Sequence, residues 1–187
     1  MSLFEFLMVL VSIIIGLGIA EILTGVARQV RCRGSTRGYW VHSLLVGTIF
    51  VALLQQWWEI WGLRVVPEWS FIGLVMMLSG PVGFFLIAHL LFPEPMHGAD
   101  FRRYYDGEMR PVWWLAALTV VLATLFRPLI IGSNLLSLDN ATSFIFLVGF
   151  AALAISRRPI IHAILVPSFL LLLLLDIFQW TFVIGRG

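Results

Sequence analysis

A chain of 187 residues that is 60% hydrophobic, only 12% charged and +1.00 in mean hydropathy is too apolar for a water-soluble domain, where about a quarter of residues carry charge. The formal net charge of +2 is too small to call for a nucleic-acid partner, and the basic residues are accounted for by membrane topology. There is no lysine, which excludes Schiff-base chemistry and a covalent retinal, and the single Cys32 cannot close an intrachain disulfide.

The first predicted helix runs from Phe4 to Val26. Its opening, MSLFEF, lacks a basic n-region and leads into an apolar run too long for a cleaved signal, so this segment is expected to remain as a helix. It carries Glu21 within GLGIAEILTG. An ionisable group inside a spanning helix costs about 2.5 to 3.5 kcal/mol on insertion scales, so Glu21 is expected either to face a proton or cation path or to be tied to the nearby Arg28. Gly16 with Ala20, and Gly18 with Gly25, sit at spacings that let another helix approach closely.

The second helix, Tyr39 to Leu63, places His42 near its start and Gln55, Gln56 and Glu59 near its end. The third, Ser70 to Phe92, contains SGPVG and then His89. Pro81 removes a helix hydrogen bond and Gly80 and Gly83 loosen the backbone beside it, so a kink or break is expected at mid-bilayer depth. Broken helices at that depth line many transport sites, although an ordinary structural kink has the same signature. The stretch from Pro93 to Arg110, with mixed charge and two tyrosines, is expected to be a solvated cytoplasmic loop or a docking surface for a protein partner.

The fourth helix is predicted from Pro111 to Ile131, the fifth from Ala141 to Ser156 and the sixth from Pro159 to Val183. The fifth falls short of the ~20 residues a spanning helix needs. The sixth carries His162, Asp176 and Gln179. Asn140-Ala141-Thr142 matches a glycosylation acceptor, but it abuts a membrane segment and is assigned no function.

Nine of the twelve arginines, Arg28, Arg31, Arg33, Arg37, Arg102, Arg103, Arg110, Arg157 and Arg158, fall in alternate connections, leaving Arg64, Arg127 and Arg186 for the other side. The positive-inside rule then gives an all-α membrane protein of six transmembrane helices, in three hairpins with cytoplasmic turns and both termini outside. Trp57, Trp58, Trp61, Trp69 and Trp180 are expected at the outer interface, and Trp40, Trp113 and Trp114 at the inner one. Residues 1–187 form a single transmembrane domain surrounded by lipid, and so thin a bundle is expected to assemble as a homo-oligomer.

Two stretches echo each other: VHSLLV, from Val41, and IHAILV, from Ile161. Gln56 follows His42 at the same spacing as Asp176 follows His162, and Glu59 and Gln179 keep the match. Steps of seven return to nearly one helix face, so each stripe is polar near both ends. A copied hairpin or chance in a leucine-rich alphabet accounts equally for this. With His89 at similar depth and Glu21 near, His42, His89 and His162 are the residues that would hold a metal, and His42 with His162 a haem. The same imidazoles can instead bond a neighbouring carbonyl or interfacial water.

SIIIGLGIAEILTGVARQVR, followed by YWVHSLLV and QQWWEIWG, resembles a group of small, uncharacterised six-helix bacterial inner-membrane proteins, most clearly from Ser12 to Gly62. The resemblance implies a bacterial inner-membrane location and carries no activity or functional residues with it. Three functions remain open on the residues. One is a small-solute or proton-linked transporter or channel with Glu21, Gly80, Pro81, Gln56, Asp176 and Gln179 along its path. The second is a non-catalytic membrane partner that holds another protein through the Pro93 to Arg110 loop. The third is a haem- or metal-binding redox protein using His42, His89 and His162. No catalytic constellation is present.

Overall fold

The computed structural model describes residues 3–65, 69–126, 128–129 and 141–178. Gln179, Trp180, Asn140, Arg127 and Arg186, and the ends of the fourth and sixth predicted helices, lie outside the described residues. Every named element is helical: α1 Leu3–Arg31, α2 Trp40–Ile60 with a 3-10 turn Trp61–Val65 after it, α3 Phe71–Leu90, α4 Phe101–Glu108, α5 Arg110–Phe126, α6 Ala141–Ile155 and α7 Pro159–Asp176.

α1 runs beyond the predicted Val26 to Arg31, with Arg28 and Arg31 in its last turn, where positive charge opposes the negative end of the helix dipole. At ~1.5 Å per residue it is ~43 Å long and outreaches a ~30 Å hydrocarbon core. α3 begins at a Ser70 cap that accepts from the Gly73 N–H. Of the kink or break expected at Pro81 it shows no break, the helix continuing through the proline. The Ser79 hydroxyl donates to the Met76 carbonyl in the turn that the proline disturbs. α7 likewise contains Pro167 and stays helical.

The loop expected from Pro93 to Arg110 is not all loop. Asp100 caps α4 by accepting from the Arg102 and Arg103 N–H groups, and Phe101 and Tyr105 are buried on its inner side. α4 meets α5 at a bend of 58°. The cap and the i, i+4 aromatic pair were the sequence signals for it.

By length and composition four helices are apolar enough to cross a membrane, or five if α4 and α5 count as one bent span; α6, with 15 residues, is a shorter apolar helix. The helices touch in the circuit α1, α3, α5, α6, α7, α2 and back to α1, with α2 also reaching α3. Outward positions are as apolar as inward ones: Phe6, Ile13, Phe71, Val148, Ile164 and Leu171 are all exposed. That is a surface lipid tails solvate and water does not. The interior is closed by small residues. A Cβ built on Gly83 would strike Thr119 close to its backbone, so α3 and α5 pack at close range, and Gly149 makes room on α6 for the ring tip of Phe169 from α7.

The connections bring α1's last turn, both ends of the 32–39 turn, α4 and the starts of α2, α5 and α7 to one end of the bundle. Arg37 donates its N–H to the Ala99 carbonyl and accepts from the Phe101 N–H, and Arg28 pairs with Glu94 at 2.9 Å. All nine arginines of the alternate connections therefore gather at this end. Trp113, near the start of α5 at this end, is buried and stacked on Phe150 with ring centroids 6.2 Å apart.

Candidate functional site

The polar side chains form three separate groups. At the arginine-rich end, the last carbonyls of α3 and α6 have no intrahelical partners, as at any helix C-terminus. His42, at the third position of α2 and fully buried, lies 2.6 Å from the Leu91 carbonyl through Nε2, which is therefore the donor nitrogen. The Tyr104 hydroxyl donates to the neighbouring Leu90 carbonyl at 2.9 Å. Phe101 and Phe92 close around the imidazole, with centroids 4.8 and 6.0 Å away.

The second histidine repeats this role on another helix. His162, at the fourth position of α7, donates from Nε2 to the Ser156 carbonyl just past the end of α6, at 2.9 Å. Its Nδ1 then accepts from the Tyr105 hydroxyl at 3.0 Å. Arg110 adds a bond from Nε to the Ala154 carbonyl at 2.9 Å. Burial first, then Tyr39 and Asp106, push the Tyr105 phenol above its ordinary value, so it stays a neutral donor. Adjacent tyrosines on α4 thus reach opposite ways, Tyr104 to the end of α3 and Tyr105 to His162. Two histidines in like positions answer like needs: each satisfies a helix-end carbonyl of a neighbour.

These bonds keep the histidines apart in purpose. Both nitrogens of His162 are engaged, and His42 has one engaged and Nδ1 buried without a partner among the described residues. His89 turns to Glu21, 3.5 Å away on α1, and its side chain is largely exposed. Among the described residues no three His, Cys, Asp or Glu side chains are gathered as a metal needs. Glu21 is not tied to Arg28, whose partner is Glu94; α3 ends level with Glu21 and supplies His89 first.

The third group lies toward the other end, where α2 carries two adjacent amides. Gln55 faces α7 and donates from Nε2 to Asp176 Oδ2 at 2.6 Å and to Glu59 Oε1 at 2.9 Å. Gln56 faces α3, where the missing side chain of Gly80 makes room for its amide beside Pro81. The carbonyl oxygens of both glutamines are buried without partners among the described residues. Four of the six residues expected along a path are thus placed around one stretch of α2: Gln56 with Gly80 and Pro81, and Asp176 one residue over through Gln55. Glu21 stands apart near the arginine-rich end. The sequence places Gln55 with Gln56, Glu59, Asp176 and Gln179 in a polar cluster toward the outer face, and the fold makes Gln55 the member that joins α2 to α7. An open groove of about 540 Å³ between α1 and α2 lies at the same end, lined by Phe4, Glu5, Met8, Ser12, Trp57 and Trp61, with Trp57 donating to Ser12 at 3.0 Å.

Comparison with known families, with curated proteins and with solved structures finds no match to this chain.

Proposed function

We propose that the chain is a six-helix protein of the bacterial inner membrane, with its arginine-rich end in the cytoplasm, that carries protons or a small cation as a transporter or channel and works as a homo-oligomer. The observation that carries the transport reading is the Gln55 bridge. Gln55 joins Glu59 on α2 to Asp176 on α7, the bond to Asp176 being partly buried, and a carboxylate placed so between apolar helices favours a proton or a cation beside it. The unpartnered oxygens of Gln55 and Gln56 add ligands of the kind a hydrated ion exchanges for water. Pro81 and Gly80 continue the polar line to α3. The inner-membrane location follows the resemblance of residues 12–62 and the arginine distribution.

Two measurements test this. In proteoliposomes under a proton or cation gradient, Asp176→Asn is expected to lower flux by about tenfold, the order by which loss of a charged ligand worth about 1.4 kcal/mol acts, with Glu21→Gln lowering it less. Flux equal to the parent in both variants, at equal protein, removes these residues from any path. For orientation, a reporter active only in the cytoplasm is expected to work when inserted at Gly98 and to fail when fused after Gly187. Activity at the second position would reverse the topology or remove one span.

A second reading, a non-catalytic partner that holds another protein, is favoured by α4 alone. Its outward residues Arg102, Arg103, Asp106, Gly107 and Glu108 are exposed, while Phe101 and Tyr105 anchor it to the bundle. It becomes the preferred reading if the parent itself shows no flux.

A further inference from the structure

We propose that Arg110, Arg157 and Arg158 form a binding site for the headgroup of an anionic phospholipid at the junction of α5, α6 and α7. The three are brought together by specific contacts. Arg110 is held by its Nε against the Ala154 carbonyl, two residues before the Ser156 that leads into Arg157 and Arg158. One turn on, the rings of Trp113 and His162 approach to 6.1 Å, so the starts of α5 and α7 are neighbours.

All three arginines are exposed, and among the described residues no carboxylate lies within ion-pair distance of any of them. On the neighbouring α4, Asp106 faces Arg102 at 3.9 Å. By contrast Arg28 is neutralised by Glu94, and Arg102 is shared between Asp106 and the face of Tyr39. Positive charge is left over at this junction, as it is at Arg31, Arg33, Arg37 and Arg103 of the same end, and here three arginines meet where α5, α6 and α7 join. No side chain caps the first turn of α7 either, so its N-terminal dipole adds to the same field.

What surrounds the charge selects a lipid over a soluble anion. Ile155 and Ile160, on either side of the arginine pair, are 68% and 64% exposed, and Trp114, one turn above Arg110, is 49% exposed. From there Leu118 and Ile164 continue the exposed apolar surface along α5 and α7. A ligand with phosphate at the arginines and acyl chains along these residues covers both surfaces at once. Arginine suits phosphate through its planar fork of donors, and tryptophan sits at the headgroup level. The proposal rests on residence in a bilayer, not on transport; a protein with no flux would still hold the lipid.

The test is native mass spectrometry of the full chain, in detergent with equimolar phosphatidylglycerol and phosphatidylcholine. The parent is expected to retain phosphatidylglycerol in preference. Arg157→Gln with Arg158→Gln is expected to cut that preference by about tenfold, and Arg102→Gln with Arg103→Gln, which removes equal charge from the same end, by less than about threefold. An unchanged unfolding midpoint shows that each variant is folded. Equal losses in the two double variants would reduce the effect to diffuse charge, and equal retention of the two lipids in the parent would remove it; either result overturns the site. Displacement of the lipid by millimolar glycerol phosphate would assign the arginines to a soluble phosphate and overturn the lipid.

Discussion

His42→Ala is expected to lower the stability of the folded bundle by about 3 kcal/mol, the sum of a cavity left between large side chains and of a carbonyl deprived of its donor. The imidazole is fully buried beneath Phe92 and Phe101, and among the described residues no other side chain donates to the Leu91 carbonyl. The loss propagates, because Phe92 also fills the space over Gly25 on α1, so the contact of α1, α2 and α3 at this end loosens together. His162→Ala is expected to cost less, about 1 to 2 kcal/mol, since that ring is slightly exposed and water can reach the Ser156 carbonyl when it is gone. Unfolding of the purified protein in mixed micelles, followed by the burial of tryptophan, measures both. A loss below about 1 kcal/mol for His42→Ala would mean that headgroups or water replace the imidazole, and the helix-end role assigned to it would fall.

Gly83→Val is expected to be similarly severe, about 3 kcal/mol, for the opposite reason: too much volume in place of too little. A Cβ at this position meets the Oγ1, Cγ2 and Cβ atoms of Thr119. Those atoms lie next to the α5 backbone and cannot swing aside, and Thr119 is itself held by a bond from its hydroxyl to the Leu115 carbonyl at 2.8 Å. Relief requires α3 and α5 to separate, and theirs is among the most extensive helix contacts in the bundle. Gly16→Val is the matched comparison, because nothing lies within 4 Å of a Cβ there, and it is expected to change stability by less than about 0.5 kcal/mol. Equal behaviour of the two variants would show that the close approach of α3 and α5 is not needed for folding.

Which of these features could be read from the chain alone depends on the range over which they are determined. Helices, their apolar length and the arginine-rich connections follow from composition and local pattern, since a helix is closed by bonds four residues apart and a lipid surface asks only that side chains be apolar. The echo of His42 and His162 was legible for the same reason, as a repeated local pattern. Its meaning was not, because the Leu91 carbonyl lies 49 residues from His42 and Tyr105 lies 57 from His162. α4 was hidden in a stretch judged by its charge, although Asp100 and the Phe101–Tyr105 pair marked it; burial of those two aromatics on the bundle decides that it is helix and not loop.

The polar site divides in the same way. Helical periodicity assigns Gln55 and Gln56 to different faces of α2, but not which neighbour each face meets. That is set by how the helices rotate against one another, and rotation is set by where a glycine lets a partner in. Gly80 admits Gln56, which turns Gln55 toward α7 and so onto Asp176, 121 residues away. Glu21 met His89 and not Arg28 because Glu94, brought in by the turn after α3, reaches Arg28 instead. The chain by itself determined which residues are too polar for lipid; only the packed bundle decided their partners, because in an apolar surround a polar group bonds to whatever polar group the fold carries within reach.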